Sequence, residues 1–212
     1  MNRRLIMIVT LVAAIAVVAA IVLVPRLGSS GASAQGTELS LDAQPRLGSA
    51  DAPVDVVVFE DFLCPHCATF AEAVTPRLER QFVDDGSAAY YSKNFVVIGP
   101  ESERIAQVGE CVYEQGNDAF WTFEEVAFRS QSGLTEARAI ALAEEYVSEL
   151  DGDELRSCIA DGRGLEAVRA DMDDAQALGV QGTPTVFVDG EQVRAGYDDI
   201  AAAIEAALAD AE

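Results

Sequence analysis

Hydrophobic positions along this chain fall into blocks of different period. Residues 5–24, LIMIVTLVAAIAVVAAIVLV, are apolar and uncharged throughout, about the length an α-helix needs to cross the ~30 Å hydrocarbon core of a bilayer. Arg3 and Arg4 precede the run, which orients the N-terminus to the cytoplasm and sends everything after Pro25 outside. A cleaved signal peptide is the alternative, because Ala32, Ser33 and Ala34 have the small-x-small form of a cleavage site. The run exceeds the ~7 to 15 residues of a usual signal core, which favours an uncleaved, single-pass anchor over secretion after cleavage near Ala34. Both readings make the remainder extracytoplasmic.

Beyond the anchor, assigned to residues 1–26, Gly, Ser and Ala dominate to Gln35. A flexible tether over 27–46 follows from that composition, and the folded domain is expected over 47–212. Residues 54–62, VDVVVFEDF, form a continuous β-branched and aromatic run, the pattern of a strand buried on both faces in mid-sheet. After it, Phe70, Ala73, Val74, Leu78 and Phe82 recur at helical spacing, with Pro65 suited to the first turn and Pro76 placed to bend the helix. A second strand is predicted over 88–98, and strand, helix, strand implies a parallel crossover. From 101 to 178 the period is helical, broken at Gly116, SQSG and DGDE into four or five helices. Strands return at 183–190 and 191–196 across an Asp-Gly turn, and an amphipathic helix at 198–209 closes the chain.

The chain carries 36 acids against 14 basic residues, a formal net charge of −22, and no acid precedes Glu38. Such a domain repels nucleic acid. Lys93 is the only lysine, and the acids are scattered rather than gathered in a tail. A uniformly anionic, hydrated surface is the expectation; adaptation to high salt or a basic partner is the weaker reading.

Four cysteines in an oxidising compartment allow two disulfides, Cys64 with Cys67 and Cys111 with Cys158. The stretch FLCPHCATF at 62–70 encloses Pro65 and the sole histidine, His66, between two cysteines. Such a pair is a redox dithiol, half of a zinc site, or a structural staple. A closed zinc site needs four protein ligands, and only His66 and two single, distant cysteines are on offer. A staple at this spacing closes too short a loop to stabilise much. The redox reading is the strongest of the three. A sulfur where a strand hands over to a helix meets unsatisfied N–H groups and the positive end of the helix dipole, which lowers the pKa expected of Cys64. His66, when protonated, adds to that effect, and a stabilised thiolate makes the disulfide a stronger oxidant.

CPHC after a buried strand, together with GVQGTPTVFVDG at 179–190, resembles the thioredoxin superfamily and, within it, the membrane-anchored DsbA-like thiol-disulfide oxidoreductases. The resemblance covers about 47–209. It implies an α/β thioredoxin fold, β-α-β then β-β-α, with an inserted all-helical block at about 101–178 and one transmembrane helix in front. Carried over by residue, Cys64 matches the exposed nucleophile and Cys67 its buried partner. Pro184 matches a cis proline opposite the dithiol, and Thr183 would offer its backbone to a substrate peptide. Many relatives carry a buried acid six residues before the first cysteine, where this chain has Val58. Glu60 and Asp61 are then the candidates for relaying a proton to or from Cys67, with a solvated or capping carboxylate as the equal alternative.

Cys111 and Cys158 lie in predicted helices of the inserted block, and a bridge enclosing about 48 residues contributes roughly 4 kcal/mol in the chain-entropy model. A structural staple is expected there, with two buried thiols or an electron relay to Cys64 and Cys67 as alternatives. Phe120, Trp121, Phe123 and Phe128 are expected mostly in the core, one or two edging a client groove. The function expected is an extracytoplasmic, monomeric oxidoreductase that donates the Cys64–Cys67 disulfide to reduced or unfolded client proteins, with no metal and no other cofactor. Reoxidation falls, by the resemblance, to a membrane quinone reductase of the DsbB or vitamin K epoxide reductase type. A tethered reductase or isomerase is the rival within the same chemistry, and a non-catalytic tethered chaperone module the rival outside it.

Overall fold

The computed structural model describes residues 39–210, so the apolar run at 5–24, the sequence around Ala34 and most of the tether lie outside the described residues. Among the described residues no helix is long and apolar enough to cross a membrane.

Strands β1 (Arg46–Leu47), β2 (Val54–Glu60), β3 (Ala88–Asn94), β4 (Thr185–Val188) and β5 (Glu191–Val193) form one sheet in the order β1-β3-β2-β4-β5. β2 and β3 run parallel, with Val54 opposite Ala88 and Glu60 opposite Asn94. The remaining pairings are antiparallel. β2 lies at the centre, as its unbroken apolar run requires, because both of its faces must be covered. Val54, Val56 and Val58 pack on one side and Val57 and Phe59 on the other.

The connection from β2 to β3 carries α1 (Pro65–Ala73), α2 (Thr75–Leu78) and a π-helical turn at Glu79–Val83. The break falls at Val74 rather than as a bend at Pro76, which sits in the first turn of α2, where a missing N–H leaves no helical acceptor unpaired. The inserted block holds five helices: α3 (Pro100–Tyr113), α4 (Asn117–Arg129), α5 (Glu136–Tyr146), α6 (Gly152–Asp161) and α7 (Arg163–Ala177). Thr135 and Asp151 cap α5 and α6 by accepting from backbone N–H groups of their first turns. After the β4–β5 hairpin, whose Asp189 and Gly190 both have positive φ, α8 (Tyr197–Asp210) ends the domain.

Three cores result. α1 and α8 cover one face of the sheet, α7 covers the other, and the block has a core of its own that takes in Cys64, Cys67 and Phe62. Cys111 and Cys158 are bonded to each other with Cα atoms 5.7 Å apart, joining α3 to α6. That pairing removes both sulfurs from any metal site or electron relay in this state.

Three expectations are corrected. The second strand stops at Asn94 instead of 98, because the N–H groups of Phe95, Val97 and Ile98 turn to Glu60 and Asp61 rather than to a ladder. β1, two residues paired to the edge of β3, carries no pattern and was not predicted. The acids are not uniformly at the surface: Glu60, Asp61, Glu110, Glu124 and Asp171 are buried. Lys93 is buried with them, 1% exposed, its ammonium 2.9 Å from both Asp171 and Asp174 across the α7 face.

Candidate active site

Cys64 occupies the N-cap of α1, in extended backbone geometry, with Pro65 as the first helical residue. Its N–H donates to the Asp61 carbonyl at 2.9 Å, and its own carbonyl accepts from Cys67 N (3.0 Å) and Ala68 N (3.2 Å). The strand thus feeds straight into the helix start that carries the cysteine pair. Pro65 and His66 are exposed on this turn. Cys64 is 5% exposed and Cys67 fully buried. The nucleophile is therefore more enclosed than the expected exposed thiol, because the aromatic core of the block, with Phe62 on Phe123 and Phe128, closes around it. Both are free thiols.

The Thr183–Pro184 peptide is cis, and the Thr183 carbonyl accepts from Cys64 Sγ at 3.3 Å. Residues separated by 119 positions therefore meet at the sulfur.

The two candidate acids part company. Asp61 Oδ1 accepts from Leu63 N at 2.8 Å, and Oδ2 accepts from Val97 N at 2.8 Å and Ile98 N at 3.0 Å. Its carboxylate is committed to holding two loops together. Glu60 lies two residues after Val58, so it projects from the same face of β2. Ser92 Oγ donates to Glu60 Oε1 at 2.9 Å, and Glu60 Oε2 is buried without a partner. Burial pushes the Glu60 carboxyl up to about 7. Burial first, and the Glu60 charge second, push the Cys67 thiol far above its ordinary value, against smaller opposing contributions from the Asp61 backbone and the Thr183 side chain.

Two residues that sequence reasoning missed come from the inserted block. Gln131, after α4, donates its amide to the carbonyls of Phe62 (2.8 Å) and Cys64 (2.9 Å), bracing the turn. Glu124 of α4 is buried with its Oε1 unpartnered, and burial first and the charge of Glu60 second push its carboxyl well above its ordinary value. The segment FEEVAF gave one usable signal: four residues after Phe120 and four before Phe128, Glu124 falls on the buried aromatic stripe of the helix, unlike Glu125.

Residues 40–206 match the family model described as thioredoxin. The chain is 36% identical over 180 residues to the probable disulfide bond formation protein D of Bacillus anthracis, covering 82% of this chain and 83% of that one. The chain is a DsbA-like member of the thioredoxin superfamily. The solved structure of oxidised BdbD from Bacillus subtilis superposes with a TM-score of 0.74 at 30% identity, covering 80% of this chain and 95% of that one. Chlamydia trachomatis DsbA gives 0.70 at 25% identity, over 79% and 91%. The protein is accordingly a thiol-disulfide oxidoreductase, and the helical block is the insertion that sets the DsbA-like proteins apart from a bare thioredoxin fold.

Proposed function

We propose that this DsbA-like enzyme donates the Cys64–Cys67 disulfide to reduced client proteins outside the cytoplasm, tethered to the membrane through residues 5–24. The observation that carries the reading is the asymmetry of the pair. Cys64 sits at a helix N-cap with its sulfur at the Thr183 carbonyl, while Cys67 is sealed beneath it. A client thiolate attacks Cys64 Sγ, forming a mixed disulfide as the Cys64–Cys67 bond breaks and its electron pair leaves on Cys67, which takes up a proton. A second client thiolate then attacks the client sulfur and expels Cys64 as a thiolate at the N-cap of α1. The client leaves oxidised by two electrons and the enzyme leaves reduced. Reoxidation by a membrane quinone reductase closes the cycle.

Val97 and Ile98, 47% and 54% exposed, are fixed beside the cysteine turn by Asp61 and give an unfolded client an apolar landing. The Thr183 backbone supplies sequence-tolerant pairing for an extended segment.

Oxidation of a reduced two-cysteine peptide by the oxidised protein tests the reading, with Cys64→Ser as control. Stoichiometric peptide disulfide formation that the variant lacks supports it; equal activity in the variant sinks it. The reduction potential decides direction. A value near about −120 mV, as in DsbA, supports donation, and one near the thioredoxin value of about −270 mV makes the protein a reductant.

A further inference from the structure

Contacts at two ends set α1 and α4 side by side in opposite directions. At one end Gln131, just past α4, donates to the Cys64 carbonyl at 2.9 Å. At the other, Thr75 and Trp121 meet on Tyr90, with the Thr75 and Tyr90 hydroxyls 3.3 Å apart and the Trp121 and Tyr90 ring centroids 5.8 Å apart. Residues three and four apart share a helix face, so Cys64, Ala68, Ala71 and Thr75 form one stripe that continues past the break at Val74. Trp121, Glu124, Glu125 and Phe128 form the facing stripe on α4.

A cleft of about 860 Å³ lies between the stripes, walled by Ala71, Glu72 and Thr75 on one side and Trp121, Glu124 and Phe128 on the other. That volume accommodates a few side chains of a peptide. Glu79 and Glu125 add two more carboxyls to its lining, against a single guanidinium, Arg129. Arg129 is paired with Glu125 at 2.6 Å. Among the described residues no cation pairs with Glu72 or Glu79. The guanidinium of Arg77 on α2 lies over the Tyr197 ring instead. The cleft is therefore anionic, and its own chain does not neutralise it.

Two buried polar atoms on its walls also lack partners. Glu124 is 6% exposed with its Oε1 unpartnered, and Trp121 Nε1 is buried without an acceptor. Such groups are costly unless a partner reaches them. The carboxyl oxygen calls for a donor and the indole N–H for an acceptor. A polyamine offers no acceptor, whereas a polypeptide brings its carbonyls and, in lysine or arginine, a cationic donor. Charge and hydrogen bonding thus select the same class of ligand. Its distance suits a client held at Cys64. From the N-cap to Glu72 the helix rises roughly 12 Å, which an extended chain spans in about four residues.

We propose that the α1–α4 cleft is a client subsite that takes a lysine or arginine about four residues from the cysteine under attack, its cation at Glu72, Glu79 and Glu124 and a backbone carbonyl at Trp121 Nε1. The subsite rests on the proposed oxidation of clients through Cys64. It selects among clients by charge, where the Thr183 backbone takes any extended segment.

The test uses the oxidised full-length protein and reduced two-cysteine peptides that differ only in carrying Arg, Gln or Glu about four residues from one cysteine. The Arg peptide is expected to be oxidised about tenfold faster than the Gln peptide, with the Glu peptide slowest. Because the whole domain is anionic, Glu166→Gln with Asp173→Asn on α7, both exposed and across the sheet from α1, removes an equal charge as the control and keeps the preference. Glu72→Gln with Glu79→Gln brings the ratio of rates near one, and Glu72→Lys with Glu79→Lys turns it toward the Glu peptide. Trp121 is the only tryptophan in the chain and reports occupancy directly. A cysteine-free Arg peptide is expected to shift its emission saturably, and the matching Gln peptide to leave it unmoved. Equal rates for the Arg and Gln peptides, a preference lost as fully in the α7 variant, or Trp121 emission indifferent to the Arg peptide overturns the subsite. Oxidation of none of the peptides overturns the enzymatic reading instead.

Discussion

Gln131 and Gly164 each tie a helix of the inserted block to a cysteine, and neither is chemically reactive. The Gln131 amide satisfies the carbonyls of Phe62 and Cys64 on either side of Leu63, so the turn that presents the nucleophile is held from α4 as well as from α1. Gln131→Leu is expected to cost about 1 to 2 kcal/mol by urea denaturation and to slow peptide oxidation. Lost stability with an unchanged oxidation rate would make Gln131 a brace only. At Gly164 on α7 an added Cβ would lie 2.6 Å from the Gln107 carbonyl and 2.9 Å from Cys111 Sγ, so the helix packs directly against the backbone of α3 and the disulfide. Gly164→Ala gains helix propensity, but the carbonyl contact cannot yield without moving α3. A net loss of about 1 to 3 kcal/mol is expected, and a neutral or stabilised variant in the same titration would contradict the packing.

The bridge between α3 and α6 is the one covalent link within the block, with a sequence separation of 47. Replacing Cys111 and Cys158 together by Val is expected to cost about 2 to 4 kcal/mol while leaving peptide oxidation by Cys64 and Cys67 intact at low temperature. Activity lost with the fold still intact would restore the electron-relay alternative. These elements differ in how far the sequence exposed them. The 54–62 run announced a central strand because only a strand covered on both faces tolerates VDVVVFEDF, and CPHC announced the helix start because Pro65 is welcome only there. VVI at 96–98 has the same β-branched composition as a strand, yet Asp61 captures the N–H groups of Val97 and Ile98, an interaction between residues more than thirty apart that no local pattern encodes. Glu124 and Glu125 differ in sequence only by helical phase, and only Glu124 is buried. The cysteine pair and GTPT carried the chemistry in plain view. Gln131, which braces the pair, was hidden because it arrives from the inserted block.

The distribution of acids between surface and interior governs how the whole domain responds to pH. Glu60, Glu110, Glu124 and Asp171 all have carboxyls raised by burial, Glu110 to about 8. Asp171 is raised in spite of its ion pair with Lys93. A carboxyl whose pKa is higher in the folded than in the unfolded chain binds more protons when folded, so the stability it lends is complete below its unfolded value of about 4.3 and disappears as pH climbs through the folded value. Asp85 and Glu101 are shifted the opposite way, but Asp85 is exposed and Glu101 only half-buried, so solvent screens both. The net charge of −22 adds self-repulsion in the same direction as the buried acids. The oxidised protein is therefore expected to lose stability steadily between about pH 5 and pH 8.5, rather than to peak near neutrality. Salt separates the two contributions. Added sodium chloride screens surface repulsion and lifts Tm at high pH, whereas burial of Glu110 beside Asp171 and Asn94 is beyond its reach. Glu110→Gln should flatten the slope by on the order of 2 kcal/mol, about 4 to 8 °C in Tm at pH 8.5, and leave the salt response unchanged. A thermal melt series whose Tm rises from pH 5 to 8.5 in the wild type, or a Glu110→Gln variant that keeps the full slope, would mean that these interior carboxyls are ionised and paired in the folded state.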